Sequence, residues 1–354
     1  MRPIDDDIWN VDIGNSANRV GWDWWWWLFF IPGKTPEKSE QLMILWSTKE
    51  CEKIFVNDYL WRRKGLQRDG KAFKFGGMVA AWYFDGEKMI MPMILEDSDL
   101  YLDKNIITNL DRSIFFKGGK NSSVAINNGK TKFRFNIKDW TDFMSEGRRK
   151  ADKYIGRFGY DVFKIYGTKF EGEIVEGNKK RKVSGTAHFQ KVRMKVPSMP
   201  WYWGMFHSSN GSYIEYFVPY IGIPCFRRTD KEESFFNRGG IPIYGTLKFF
   251  YEPDKECYTF SKVSVKKTVE NGLPLFTVVA KEKNRTLRMK LRAYSRALWD
   301  FKQPLLASFN TKLFYNEYPT VLEEFELRDG DKVISKEKLG SVVGNTEHTW
   351  GLLF

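Results

Sequence analysis

A few ionisable side chains stand near dense aromatic segments, and this combination suits proton chemistry on a carbon–carbon double bond. A buried acid can protonate an alkene, and each desolvated indole face stabilises the resulting cation by about 2 kcal/mol or more. The candidate proton donors are Asp23, His188, Glu215, Glu347 and His348. The candidate ligand-binding side chains are Trp24, Trp26, Trp201, Trp203 and Tyr216.

Asp23 stands in the most unusual segment of the chain, GWDWWWWLFFIPGK, over residues 21–34. If this segment is a strand, Trp22, Trp24 and Trp26 share one face, and Trp25, Trp27 and Phe29 share the other. Because both faces are apolar, we expect the inner face to wall a cavity and the outer face to be covered by a second domain. A carboxylate among indoles is costly to bury unless it is paired or functional, and burial would raise its pKa.

Each candidate also has a purely structural interpretation. His188 and His348 would be hydrogen-bonded strand histidines, and the tryptophans would be core residues. Glu215 alternates with Ile214 and Tyr216, which predicts that its side chain faces solvent.

The elements that must position these side chains are short antiparallel strands. In residues 286–294, apolar residues alternate with Arg288, Lys290 and Arg292, which is the period of a half-exposed strand. Similar runs recur at 132–137, 183–192, 213–220, 244–251, 258–265 and 274–280, mostly between turn residues. This pattern predicts an all-β sandwich or barrel with little helix. One helix is predicted at residues 139–154, with Asp139 as its cap.

Two segments of the chain resemble each other and suggest a repeat. Gly185 and His188 precede a Trp-Gly pair at 203–204, and Gly344 and His348 precede another at 350–351. A length of 354 residues corresponds to roughly two domains at about 150 residues each. We therefore predict two related barrels, over residues 1–200 and 201–354, each closed by an equivalent strand.

The charge balance favours acidic partners but does not predict a nucleic-acid groove. The chain has 57 Lys and Arg against 44 Asp and Glu, a formal charge of +13, and these basic residues are scattered. Arg288, Lys290 and Arg292, with Tyr294, alternate with Leu and Met as the outer face of an ordinary strand does. Nucleic-acid binding is therefore the least favoured class, and we expect no nucleic-acid partner.

The motifs of several enzyme classes are missing from the sequence. It contains no Gly-x-Ser-x-Gly, His-Glu-x-x-His or Gly-x-Gly-x-x-Gly pattern, and its three histidines lack metal-ligand spacing. Cys51, Cys225 and Cys257 are widely spaced and predict neither a disulfide framework nor a thiolate zinc site. We therefore expect chemistry that needs no cofactor and no metal.

The sequence predicts a soluble, cytoplasmic protein. Its best apolar run, residues 24–31, is far shorter than the ~20 residues needed to span a bilayer. Asp5, Asp6 and Asp7 replace the basic start of a secretory signal. Transient contact with a membrane surface stays open, as does the oligomeric state.

Three segments resemble a known family. These are the Trp-rich opening run with its IPGK turn, the segment VSGTAHFQKVRMKVPSMPWYWGMFHSSNGSYIEYF at 183–217, and the closing GNTEHTWG at 344–351. The chain resembles the two-domain lipocalin-like proteins that include carotenoid 1,2-hydratase (hydroxyneurosporene synthase) and the AttH-like proteins. The resemblance covers nearly the whole chain. It implies two calycin-type antiparallel β-barrels packed together, with an apolar ligand pocket in or between them.

The resemblance also bears on the proton donor. In the hydratases, the end of the first barrel carries an Asp-His pair in a segment like G-x-x-W-x-D-H. The corresponding stretch here is GTAHFQK at 185–191, in which His188 fills part of the motif and no Asp accompanies it. Fungal proteins of this architecture include cyclases of polyketide chains, so the resemblance leaves the reaction open.

Two function classes therefore stay open. In the first, the chain binds an apolar isoprenoid, polyene or lipid-like ligand and hydrates or cyclises one of its alkenes by acid assistance. In the second, it is a non-catalytic lipid or pigment binding protein, an alternative supported by the missing Asp.

Overall fold

The chain folds almost entirely into antiparallel strands, and the computed structural model describes residues 8–11, 20–70, 72–138, 148–155, 158–226, 240–306 and 309–354. The strands before residue 200 are β1 (Trp22–Thr35), β2 (Lys38–Lys49), β3 (Lys53–Val56), β4 (Tyr59–Arg62), β5 (Gln67–Asp69), β6 (Ala72–Gly76), β7 (Met78–Phe84), β8 (Met89–Glu96), β9 (Asp99–Asp103), β10 (Ile106–Thr108), β11 (Phe115–Lys117), β12 (Ser123–Asn127), β13 (Thr131–Ile137), β14 (Arg148–Ile155), β15 (Phe158–Glu176) and β16 (Lys179–Met194). The strands after it are β17 (Trp201–Ser208), β18 (Tyr213–Gly222), β19 (Gly240–Pro242), β20 (Thr246–Tyr251), β21 (Glu256–Phe260), β22 (Lys262–Glu270), β23 (Leu273–Glu282), β24 (Arg285–Ala293), β25 (Ala297–Leu306), β26 (Phe309–Asp329), β27 (Lys332–Ser335) and β28 (Val342–Leu352).

The all-β prediction is confirmed. Apart from the strands, the structure has short 3₁₀ turns at Ile223–Cys225 and Lys336–Leu339. Within the described ranges, no helix has the length and apolar character needed to cross a membrane.

The strands form two curled antiparallel sheets. The first sheet runs in the order β5-β6-β9-β10-β11-β12-β13-β15-β16-β1-β2-β7-β8, with β14 paired to β15. The second sheet runs β21-β20-β18-β17-β28-β26-β24-β23-β22, with β19, β25 and β27 paired alongside. In each sheet the last long strand pairs with the first one, β16 with β1 and β28 with β17.

The hairpin β3–β4 crosses between the two halves of the sequence. It belongs to the N-terminal half but pairs with β25 of the second sheet, where Val56 opposes Phe301. The change from one sheet to the other along the chain falls between β16 and β17. The division into domains at 1–200 and 201–354 stays a prediction.

Each sheet curls around its own apolar core, and a third core lies between the sheets. In the first core, Trp25, Trp27 and Phe29 of β1 pack against residues such as Phe116 and Phe189. The second core includes Leu287, Met289 and Leu291, which are the apolar positions of the alternating β24 segment. The third core joins Trp26, Leu28 and Phe30 to Trp203 and Trp299.

Strand β1 is therefore apolar on both faces, as its sequence predicts. Its outer face is covered by the second sheet, and this expectation agrees with the structure. Its inner face does not wall a cavity, because Trp25, Trp27 and Phe29 are fully buried among other aromatic rings. Bulky side chains from facing strands fill the interior of the first sheet, so the space for a ligand lies elsewhere.

The predicted helix at 139–154 is wrong in its second part. Residues Arg148–Ile155 form β14, which pairs in antiparallel register with the start of β15. The backbone hydrogen bonds of this hairpin replace those of a helix. Residues 139–147 lie outside the described part of the chain.

Two basic side chains of β24 pair with carboxylates. Arg292 pairs with Glu270 and Glu323, and Lys290 lies 3.3 Å from Glu324. Part of the positive charge on this face is therefore compensated locally.

Candidate functional site

A small cavity lies between the two sheets, with about 30 Å³ of room for water-sized molecules inside a half-open region of about 490 Å³ that includes open solvent. Strands β1, β2, β3, β4 and β7 from the N-terminal half and β25 and β26 from the C-terminal half contribute to its wall. The wall is mostly apolar, with Trp61, Ala80 and Phe301 among its side chains. Lys49 and the phenol of Tyr315 are two of its polar members.

Glu317 is buried beside this cavity and faces a second glutamate. It lies on β26 directly opposite Glu347 of β28. The indole nitrogens of Trp82 and Trp299 donate hydrogen bonds to Glu317 Oε2 at 2.6 and 3.0 Å, while its Oε1 has no hydrogen-bond partner within the described residues. Burial, together with the charge of Glu347, raises the pKa of Glu317 well above 4.5, so its carboxyl keeps a proton to higher pH than an exposed glutamate does.

Glu347 is held by two further aromatic donors. The Tyr315 hydroxyl lies 2.5 Å from Glu347 Oε1, and the indole nitrogen of Trp201 lies 2.7 Å from Oε2. Burial raises the pKa of Glu347 to about 7, against the opposing effect of the hydrogen bonds from Tyr315 and Trp201. A carboxyl group with this pKa is present in both acid and base forms at neutral pH, as a general acid–base catalyst requires.

Tyr315 and Trp299 connect the glutamates to the cavity. Both side chains line the cavity, and they donate hydrogen bonds to Glu347 and Glu317 respectively. Burial and the two nearby carboxyls raise the pKa of Tyr315 well above 10, so its phenol stays protonated. Glu347 is therefore joined to a cavity-lining residue by one hydroxyl hydrogen bond.

Glu215, predicted to face solvent, is buried. Its outward strand face is covered by the first sheet, and the side chain forms an ion pair with Lys164 of β15. Trp203 donates from Nε1 to Glu215 Oε1 at 2.9 Å. Burial alone would raise the pKa of Glu215, but Lys164 and these hydrogen bonds lower it below 4.5. Glu215 is therefore an anion that binds the two sheets together, and the solvent-facing prediction is wrong.

His188 lies close to Glu215 but in an apolar setting. Its Nδ1 is 3.2 Å from the Tyr166 carbonyl oxygen, and its ring lies 5.9 Å from Trp26 and 5.5 Å from Trp203. Its Nε2 has no hydrogen-bond partner in the described ranges. Burial lowers the pKa of His188 to about 3, despite the nearby Glu215 charge. The imidazole is therefore neutral at pH 7.

His207 belongs to the same cluster and was not among the sequence candidates. Its Nε2 lies 2.6 Å from the Tyr166 carbonyl oxygen, and its Nδ1 lies 2.8 Å from the Thr186 hydroxyl. Burial lowers its pKa to about 4. His188 and His207 thus meet at one carbonyl group from opposite sheets.

Asp23 lies on the inner side of β1, away from the cavity. It forms an ion pair with the buried Lys191 of β16, and Arg193 Nε lies 3.6 Å from its Oδ1. The Lys191 ammonium also stands 3.8 Å from the Trp25 ring centroid. Pairing therefore explains how this carboxylate is buried among indoles.

His348 and Tyr216 lie on the inner side of the second sheet. Neighbouring residues of a strand point to opposite faces, so His348 is directed away from Glu347, and the two do not act as a pair. The Tyr220 hydroxyl lies 3.0 Å from His348 Nε2, and Tyr202 stacks on the imidazole. Burial lowers the pKa of His348 well below 6.5. Tyr216 is fully buried in the second core.

The four tryptophans predicted to line a ligand cavity do not lie together. Trp26 and Trp203 meet edge to face, with ring centroids 5.3 Å apart, and Trp201 binds Glu347. Trp24 packs against Trp22 at 5.3 Å. None of the four is among the side chains that line the cavity, whose indoles come from Trp22, Trp61 and Trp299.

The sequence analysis missed Glu317 and its aromatic donors. A signal for Glu317 exists, because Leu313, Tyr315 and Glu317 follow the two-residue period of a strand and place the carboxyl on an apolar face. Trp82 and Trp299 carry no comparable signal, since Trp82 reaches Glu317 from the other sheet and Trp299 reaches it through the pairing of β25 with β26. Across the described ranges, no group of three His, Cys, Asp or Glu side chains is arranged to hold a metal ion.

Comparison with known structures identifies the fold. Over 97% of each chain, the structure matches that of a Nitrosomonas europaea protein provisionally assigned as AttH, with a TM-score of 0.54 and 9% identity. This chain has the AttH-type, lipocalin-like fold. Kievitone hydratase from Nectria haematococca matches over 96% of this chain and 93% of its own, with a TM-score of 0.42 and 10% identity. No family profile and no curated protein sequence matches the chain.

Proposed function

We propose that this AttH-like chain binds an apolar isoprenoid or polyene in the cavity between its sheets and adds a proton to one of the ligand's double bonds. The single observation that carries the proposal is the hydrogen bond between Tyr315, which lines the cavity, and Glu347, whose pKa is about 7. It joins an apolar binding space to a group that can supply protons at neutral pH.

The proton transfer follows from this arrangement. Tyr315 gives its hydroxyl proton to one alkene carbon while the Glu347 acid returns a proton to the phenol oxygen. The other alkene carbon becomes a cation, which the indole of Trp299 in the cavity wall stabilises. Capture by water, with loss of a proton through Tyr315 to the Glu347 carboxylate, gives an alcohol. Capture by a second double bond of the same ligand gives a ring and a new cation, which becomes an alkene by losing a proton along the same path to Glu347.

Binding without turnover is the second candidate function. Neither Glu317 nor Glu347 lines the cavity directly, and both already accept hydrogen bonds from aromatic side chains. A site that only binds an apolar lipid or pigment needs the cavity and no acid. The two functions differ in whether any ligand carbon acquires hydrogen from water.

Incubation of candidate polyenes with the protein in deuterated water separates these functions. We expect deuterium at one carbon of the product, and a loss of rate of at least about 100-fold in Glu347→Gln and Tyr315→Phe. Glu324→Gln, an exposed position on the same strand, is the matched control and should keep the full rate. Full activity in both test variants contradicts the proposed route.

The other predicted proton donors are tested as separate variants in the same experiment. Asp23→Asn, His188→Ala and His348→Ala should leave deuterium incorporation intact wherever the protein remains folded. If one of them alone abolishes incorporation in folded protein, that residue replaces Glu347 as the proposed proton source.

A further inference from the structure

Lys49 places a single ammonium group at the edge of the apolar cavity. It is the last residue of β2, lines the cavity, and has only 4% of its side chain exposed. Its Nζ lies 5.5 Å from the ring centroid of Trp22, its cross-strand partner and another wall residue. The ammonium is therefore fixed against the wall and does not extend into bulk solvent.

The described part of the chain supplies no carboxylate within ion-pair distance of Lys49. By contrast, the buried Lys191 pairs with Asp23, and the largely covered Lys164 pairs with Glu215. Burial lowers the pKa of Lys49 to about 8, only partly offset by Cys51 and Glu50. At pH 7 the side chain is still mainly charged, and no described carboxylate forms an ion pair with it.

We infer that Lys49 binds an oxyanion of the ligand, so that the cavity takes an amphipathic molecule with an apolar body and one carboxylate, phenolate or enolate oxygen. A partly desolvated ammonium forms a stronger charge-assisted hydrogen bond than one in water. An oxyanion at this position would supply an ion-pair partner that the described residues do not.

The remaining wall accounts for the apolar body of such a ligand. Trp61, Ala80 and Phe301 offer apolar contact in the same wall as the polar side chains of Lys49 and Tyr315. An oxyanion held at Lys49 would orient the body toward Tyr315, where the proposed protonation takes place. This inference rests on the proposed function for the cavity and adds the chemical class of its ligand.

Binding of three dodecyl probes tests the inference without any turnover. Dodecanoate, dodecan-1-ol and dodecyltrimethylammonium share one apolar chain and differ in head-group charge. Isothermal titration at pH 7 and below the critical micelle concentrations should give a Kd for dodecanoate at least tenfold lower than for the alcohol. The cationic probe should bind more weakly than either.

Variants of Lys49 decide between charge recognition and simple apolar binding. Lys49→Met should reduce the preference for dodecanoate over the alcohol to about twofold or less, while dodecanol binding shows that the cavity is intact. Lys49→Arg should keep the preference. Lys34→Met, which removes the same charge from a side chain that is 78% exposed, is the matched control and should behave as the unmodified protein.

The outcomes separate this inference from the proposed function. Equal binding of dodecanoate and dodecanol, or a preference that survives Lys49→Met, overturns the role of Lys49 and leaves the cavity in place. Failure of all three probes to bind overturns the cavity as a lipid site, and the inference falls with it. Loss of deuterium incorporation in Glu347→Gln is measured separately and does not depend on the head group.

Discussion

Glu317 and Glu347 oppose each other on the adjacent strands β26 and β28, and each carboxyl accepts two hydrogen bonds from aromatic side chains. Two buried carboxyl groups at such close range do not both ionise near neutral pH, because each charge disfavours the other. The pair therefore retains at least one proton under conditions in which exposed glutamates have none. The packing surface between the sheets therefore contains a titratable pair of carboxyl groups.

The pH dependence of turnover should follow the ionisation of Glu347. The acid form is the proton source and the pKa is about 7, so the rate should be constant below about pH 6 and fall about tenfold per unit above pH 8. Initial rates from pH 5 to 9 measure this profile. A rate that rises with pH through 7 would show that the base form of the group is the active one.

Stability should fall in weak acid because of the buried histidines. His188 and His207 have folded-state pKa values of about 3 and 4, below the ordinary 6.5. Between pH 6.5 and 4, these histidines therefore bind protons more readily in the unfolded chain than in the folded protein. Each should lower the unfolding free energy by about 2 kcal/mol between pH 7.5 and pH 5.

Urea unfolding of the native protein and of His207→Gln at both pH values measures the histidine contribution. The variant should lose less stability on acidification than the native chain, whatever its stability at pH 7.5. If the unfolding free energy of both proteins falls by the same amount between the two pH values, groups other than His207 cause the acid sensitivity.

Removal of the Asp23 carboxylate should affect folding more than chemistry. Asp23→Asn leaves Lys191 buried without its charge partner, which should cost about 3 kcal/mol of unfolding free energy. The double variant Asp23→Leu with Lys191→Met should recover much of that loss, because the buried ammonium is removed together with its partner. Chemical denaturation of both variants checks this. Unchanged stability in Asp23→Asn would show that the ion pair is not needed for folding.

Filling the cavity should block ligand binding. Ala80 lies on its wall, so Ala80→Phe should raise the Kd for an apolar dodecyl probe at least tenfold by occupying its space. Thr259→Phe, the same new side chain at an exposed strand position, should bind the probe normally. If Ala80→Phe is folded by circular dichroism and binds as well as the native protein, the ligand site lies elsewhere.

The sequence by itself determined the strand character of the chain and the burial of both faces of β1. Alternation over two residues is a local property of extended backbone, so Leu287, Met289 and Leu291 could be assigned to one face without knowledge of the rest. The same period shows that Glu347 and His348 point in opposite directions. It cannot show which of the two faces another sheet will cover.

Only the tertiary structure decided which groups meet. Glu215 has the sequence pattern of a solvent-facing residue, yet the first sheet covers it and provides Lys164 as its partner. Glu317 and Glu347 become neighbours because β26 and β28 pair in one particular register. Trp82 reaches Glu317 from the other sheet. Such contacts depend on long-range strand pairing and on the packing of two surfaces, and short sequence periods carry no information about either.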